Sequence, residues 1–119
     1  MALERILNDV LKNVDGSIGI AVAGFDGMPV ATAQTDPNFP MEESVASAAM
    51  GLTYAKKMME DAGAGKVKES MTMADAAIFF MRPLDEEYWI GIALAANGNL
   101  GKARLEMKKA LPLVQKELH

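Results

Sequence analysis

Ser17-Ile18-Gly19-Ile20-Ala21-Val22-Ala23-Gly24 is the stretch on which the fold turns. Side chains alternate across an extended chain, so Ile18, Ile20 and Val22 point one way and Gly19, Ala21 and Ala23 the other. Both faces are apolar, one bulky and one small, as expected of a strand in the middle of a sheet covered on both sides. Tyr88 to Ala96 repeats the pattern, with Ile90, Ile92 and Leu94 opposite Gly91, Ala93 and Ala95.

Outward from the first of these strands, the N-terminal side reads as a helix. Leu3, Ile6, Leu7, Val10, Leu11 and Val14 share one helical face, and Asp15-Gly16 supplies the stop. On the other side, Asp26-Gly27 predicts a tight hairpin into Met28 to Thr32, where Pro29 marks an edge strand because it cannot donate to a ladder. Asp36 to Pro40 is a loop. A second helix is expected from about Met41 to Ala62, with Glu42 and Glu43 in its first turn and Lys56 and Lys57 near its end.

After Gly63-Ala64-Gly65 come three strand-like runs, Lys66 to Met73, Ala76 to Arg82 and Tyr88 to Ala96, separated by Ala74-Asp75 and by Pro83 to Glu87. The first of the three has a polar face of Lys66, Lys68, Ser70 and Thr72, which suits an edge. Asn99 is placed to cap a last helix, traced by Leu100, Ala103, Met107, Ala110, Leu111, Val114 and Leu118. Pro112 should kink it or break it, opening a short second segment.

The order is therefore α-β-β-α-β-β-β-α, in one domain spanning 1–119. Short links between grouped strands give an antiparallel sheet, and two apolar faces require helices on both sides, so the expected architecture is a three-layer α/β/α sandwich around five strands.

Composition removes several functions. With no cysteine and a single histidine, His119, at the last position, the chain offers no thiolate metal site, no Cys nucleophile and no His to activate a serine. A formal charge of −4 with basic residues scattered along the sequence disfavours nucleic acid as a partner. No run of about 20 apolar residues could span a bilayer and no signal peptide is evident, so a cytoplasmic protein that does not insert into membranes is expected.

Asp85-Glu86-Glu87 and Glu60-Asp61 lack the spaced ligands and glycine of a calcium loop and read as solvated turns. Gly16, Gly19 and Gly24 lie within and beside a strand rather than between strand and helix, so they form no dinucleotide fingerprint. Asn97 to Gly101 precedes a helix without the Lys-Ser/Thr of a P-loop and reads as a turn and cap. No cofactor is implied. Trp89 is expected to anchor the core or its rim.

The second helix is unusual. Ala46, Ser47, Ala48, Ala49 and Gly51 make its first half small-sided, beyond what one buried stripe needs, and two-fold dimers are the commonest oligomers. Together with the edge-like third strand, this points to a second copy of the chain as partner. The same small surface would equally pack against the small faces of the first and last strands. Met50, Met58, Met59, Met71, Met73 and Met81 fit either core filling or an adaptable contact surface.

Val14-Asp15-Gly16-Ser17-Ile18-Gly19, the hairpin Gly24-Phe25-Asp26-Gly27-Met28-Pro29-Val30-Ala31 and the helix start Asn99-Leu100-Gly101-Lys102-Ala103-Arg104, taken with the element order, resemble the roadblock/LC7 superfamily. That superfamily includes dynein light chains of that name and MglB-type proteins of bacteria and archaea. The resemblance covers nearly the whole chain. It implies a profilin-like sheet with the second helix on one face and the terminal helices on the other.

It also implies a homodimer through the second helix and third strand, for which Val45, Ala48, Ala49, Leu52, Met59, Val67, Met71 and Met73 are the expected contact residues. Paired domains of this kind form a platform for a Ras-like small GTPase, and MglB-type members stimulate GTP hydrolysis. The expected function is thus a non-catalytic homodimeric regulator or scaffold of such a GTPase. The alternative is a small-molecule or signal-sensing domain with a pocket between sheet and helix. An arginine finger would have to come from Arg5, Arg82 or Arg104, none of which lies on an evident mobile loop.

Overall fold

A computed structural model describes residues 2–119; Met1, the first residue of the expected domain, lies outside them. The elements follow the expected order: α1 (Ala2–Asn13), β1 (Ser17–Gly24), β2 (Pro29–Gln34), α2 (Met41–Asp61), β3 (Ser70–Met73), β4 (Ala77–Pro83), β5 (Tyr88–Ala95) and α3 (Leu100–Leu118). All five strands form one antiparallel sheet in the order β2-β1-β5-β4-β3. The two strands with a bulky and a small face are neighbours in its interior, and β2 and β3 are its edges.

The alternation sorts the core into two layers. Ile20 and Val22 of β1 and Ile90, Ile92 and Leu94 of β5 pack with Leu7, Val10, Met107 and Val114 beneath α1 and α3. Ala21 and Ala23 face the opposite side with Trp89 and Met81, under Val45, Ala49 and Leu52 of α2. The sandwich is therefore α1 and α3 on one face and α2 on the other.

The helix ends follow local chemistry. Gly16 closes the α1 turn at φ +82°, and the Asn99 side chain accepts a hydrogen bond from the Lys102 amide (3.0 Å), capping α3. The β1–β2 link is longer than a two-residue hairpin. It runs through Phe25 to Met28, with only Gly27 at positive φ (+87°) and Asp26 Oδ1 accepting from the Met28 amide (3.0 Å).

Two expectations need correction. Of the kink or break expected at Pro112, the break does not occur: α3 is one continuous helix with Pro112 inside it. Pro112 itself is exposed, while Val114 beyond it is buried in the core and Leu118 packs against it, so tertiary packing holds the far end in helical register. β3 begins at Ser70 and not at Lys66. Its ladder pairs Ser70 with Met81, so the next pairings back along the chain would meet Arg82 and Pro83, and proline has no amide to continue it.

Candidate functional site

α2 carries two apolar stripes on opposite sides. Val45, Ala49 and Leu52, spaced four and three apart, face the sheet and are buried, Ala49 to 1 % exposure. Ser47, Met50, Gly51, Tyr54 and Met58 lie on the far side, in solvent, with Met50 69 % and Tyr54 74 % exposed. An amphipathic helix normally has a polar outer face. Among the described residues, six of the ten exposed large hydrophobics belong to α2 and β3: Met50, Tyr54, Met58, Met59, Met71 and Met73.

β3 adjoins this surface as an edge strand, bonded only to β4. Ser70 and Thr72 share the α2 face with their partners Met81 and Phe79, while Met71 and Met73, opposite Phe80 and Ile78, point to the α1/α3 side, Met73 being 64 % exposed. Between α2 and β3 opens a trough floored by Ala48, Phe79 and Met81 and flanked by Ser47, Gly51 and Thr72. Gly51 sits mid-helix, where glycine costs roughly 1 kcal/mol relative to alanine. A Cβ added there would meet nothing within 4 Å, so no contact inside the monomer accounts for it.

The expected contact residues therefore divide. Met59, seven residues on from Leu52, is exposed on the sheet-facing line at the far end of α2, Met71 and Met73 are exposed on the α1/α3 side of β3, and Ala48 and Val67 are half-buried against the core beneath α2. Val45, Ala49 and Leu52 are corrected to the monomer core, because the small faces of β1 and β5 let α2 approach closely enough to bury them. Tyr54 was missed. Its signal is the helical spacing Ser47, Met50, Gly51, Tyr54, Met58.

Electrostatics tie down the arginines on which an arginine finger would depend. Glu69 accepts from Arg82 (3.3 Å) and forms an ion pair with Arg104 (3.0 Å), joining β4 and α3, and Arg104 also lies 5.1 Å from the Phe80 ring centroid. Arg5 is exposed on α1. The acidic turn after β4 is also structured. Asp85 accepts from the amides of Glu87 (2.7 Å) and Tyr88 (2.8 Å) and meets His119 Nε2 at 2.9 Å. Burial works to raise the pKa of Asp85, but these bonds together hold it below the ordinary value. His119 thus ties the end of α3 to the β4–β5 turn.

Glu106 is the one buried charged side chain among the described residues. It accepts from Lys109 Nζ (3.1 Å) and from Asn13 Nδ2 (3.0 Å), with Lys102 Nζ at 3.8 Å, and so links α3 to the end of α1. The Lys109 bond is the main cause that holds its pKa below the ordinary value, against the opposing effect of burial. A lowered folded pKa means the contribution is complete above the ordinary glutamate range and lost as pH falls through the lowered value. Glu106→Gln should therefore lower the urea midpoint at neutral pH by the equivalent of about 1 kcal/mol, and the difference from wild type should close in acid. A constant difference across the titration would remove this role.

The space between α2 and the sheet, lined by Gly19, Phe39, Phe79, Trp89 and Gly91 among others, is about 30 Å³. That is room for about two waters. It does not hold a metabolite in this conformation. No group of three or more metal-ligating side chains occurs among the described residues, and no helix among them is long and apolar enough to cross a membrane.

The chain matches no protein-family model, and no curated protein is similar to it in sequence. Solved structures do match. A roadblock/LC7 domain from Streptomyces avermitilis superposes with a TM-score of 0.89 over 99 % of this chain and 98 % of that one, at 13 % identity. The chain has the roadblock/LC7 fold. MglC from Myxococcus xanthus shares this fold at 29 % identity and a TM-score of 0.72, covering 98 % and 99 % of the two chains. The gliding protein MglB from Thermus thermophilus does so at 14 % identity and 0.85, covering 97 % and 87 %. Within the roadblock/LC7 fold of this chain, the largest group of exposed apolar side chains among the described residues is on α2, with Met50, Tyr54, Met58 and Met59.

Proposed function

We propose that the chain forms a two-fold homodimer through the outer stripe of α2 and the free edge of β3, and that the paired domains hold a Ras-like small GTPase as a regulator or scaffold, without a catalytic site of their own. The observation that carries the dimer is the second apolar stripe of α2. Met50, Tyr54 and Met58 lie in solvent around a glycine that has no packing role within the monomer. Tyr and Met are enriched at interface centres, and the small Ser47 and Gly51 let a second helix approach closely. Beside this stripe β3 is an edge strand whose backbone groups can continue the ladder into a second copy, with Thr72 on the α2 face and Met71 and Met73 on the other.

The GTPase rests on the roadblock/LC7 fold and on the likeness to MglB and MglC. Arg82 and Arg104 are engaged by Glu69 and Arg5 lies within α1 rather than on a mobile loop, which favours stimulation by arranging the GTPase's own catalytic groups over a donated arginine. The sensing alternative has no comparable support, since the space beneath α2 has room for only about two waters.

The test has two parts. By light scattering, the wild-type chain should have the mass of a dimer, and Tyr54→Arg should be monomeric with unchanged circular dichroism. Its dissociation constant should rise about a hundredfold or more, because two-fold symmetry buries the new charge twice. A dimer unaffected by Tyr54→Arg excludes this interface. For the partner, a Ras-like GTPase encoded near this chain should be retained in its GTP-bound or GDP-bound state; retention in neither removes the GTPase assignment for that protein.

A further inference from the structure

The basic residues that look scattered in sequence are gathered by the fold. α3 carries five of the chain's twelve, Lys102, Arg104, Lys108, Lys109 and Lys116, against two acids, Glu106 and Glu117. Helical spacing puts Leu105, Lys109, Pro112 and Lys116 along the outermost line of the helix, with Lys108 and Leu113 beside it. All six are exposed. Lys108 and Lys116 have no ion-pair partner among the described residues, and Leu105 and Leu113 are about half exposed. Of the acids, Glu106 is buried and Glu117 lies towards the flank. The chain as a whole is acidic, so α3 is a local reversal of sign.

We propose that the outer ridge of α3 adsorbs onto an anionic lipid surface, with Lys108, Lys109 and Lys116 at the headgroups and Leu105 and Leu113 seated at the boundary with the acyl chains. Two features favour a flat lipid surface over an acidic peptide or a nucleic acid. The groove beside the ridge, between α1 and α3, is lined by Asp9, Glu106 and Lys109, with Glu106 already paired to Lys109, so it offers an acidic peptide no excess of positive charge, whereas a plane resting on the ridge meets lysines. Two leucines among the lysines gain from an acyl boundary and nothing from a phosphate backbone.

The acidic remainder of the chain does not cancel this attraction. The molecule is about 25 Å thick in its shortest dimension, and the Debye length at physiological salt is about 8 Å, so charges on the α2 side are screened from a bilayer at α3. If the proposed dimer pairs β3 edges antiparallel, its two-fold axis is perpendicular to the sheet and both α3 ridges face the same way. Only this doubling rests on the dimer; the adsorption of one ridge does not.

The probe is a set of vesicles of phosphatidylcholine, with and without phosphatidylserine, in a co-sedimentation assay, with the protein's mass measured in parallel. Wild type should partition to the phosphatidylserine vesicles and be released by salt. Each lysine at an anionic surface contributes roughly fivefold, so the double variant Lys108→Glu/Lys116→Glu should lose about 25-fold or more. Leu105→Ser/Leu113→Ser should weaken the binding that survives in salt. Equal partition to both vesicles, absence from both, or a lysine variant that binds like wild type overturns the proposal. Retention on heparin unchanged by the leucine replacements, with absence from vesicles, also overturns it. A monomer that still selects phosphatidylserine overturns the dimer alone.

Discussion

Trp89→Ala is expected to remove about 4 kcal/mol of folding stability, the largest loss available from one side chain in this chain. Trp89 is 2 % exposed, the largest of the fully buried residues, and forms the centre of the layer between the sheet and α2. Its indole lies over Gly91, where an added Cβ would come within 2.8 Å of the ring, so the small face of β5 exists to receive it. Nε1 donates to the Gly24 carbonyl at 3.0 Å, tying β5 to the end of β1. That carbonyl also accepts from the Gly27 amide, so the main loss on truncation is packing and not an orphaned acceptor. Since small domains are stable by only about 5–15 kcal/mol, the variant should be partly unfolded well below the wild-type midpoint. Trp89→Phe, which keeps most of the volume, should cost less than half as much. Urea titration followed by far-UV circular dichroism checks both, because the only tryptophan is the residue replaced. A loss of under 1 kcal/mol for alanine would mean that α2 collapses onto the sheet without it.

Gly16→Ala should cost about 3 kcal/mol through two separate penalties. At φ +82° any side chain pays roughly 1–2 kcal/mol for the left-handed conformation. An added Cβ would also lie 2.6 Å from the Gly98 Cα, a backbone atom that cannot rotate away, which adds an overpacking cost of about 1–3 kcal/mol. The turn after α1 and the turn before α3 pass each other here. The Ala95 amide donates to the Gly16 carbonyl (2.7 Å) and the Asn99 amide to the Asp15 carbonyl (3.1 Å). Gly51→Ala is the counterpart in a helix with free space around it and should stabilise the isolated monomer by roughly 1 kcal/mol. Thermal or urea midpoints of the two variants should move in opposite directions; two shifts of the same sign would contradict this account of the backbone contact.

The alternation in β1 and β5 was enough to place those strands in the interior and to separate the two core layers, because period-two patterning with both faces apolar has few other readings. Gly16, Asn99 and Pro29 likewise carried their turn, cap and edge positions in local chemistry. Tertiary packing was less legible. Pro112 looked like a boundary because intrinsic propensity cannot register that Val114 and Leu118 beyond it dock on the core. β3 was read too long because its limit is set by Pro83 on the neighbouring strand. The contact surface was half visible: the small-sided composition of α2 and the methionines of β3 could be seen, but which side of α2 the sheet would claim could not. The Glu106–Asn13 link and the Glu69 bridge depend on residues far apart in sequence, and nothing local announces them, whereas the lysine ridge of α3 lies in the helical spacing of one element.

The only joint between strands distant in sequence is β1 with β5, where Ile20 lies opposite Ile92. Every other strand pairs with its neighbour along the chain, so the molecule consists of two locally wired halves, α1-β1-β2-α2 and β3-β4-β5-α3, closed by one ladder, by α1 against α3 and by α2 over Met81 and Trp89. Closing that ladder brings remote segments together before any bond rewards it, so their encounter is the slow event in folding. The ladder is also indifferent to whether its two strands belong to one polypeptide. At high concentration the halves of two refolding chains should trade places, and the yield of correctly closed molecules should fall with concentration for a reason separate from the apolar surface of α2.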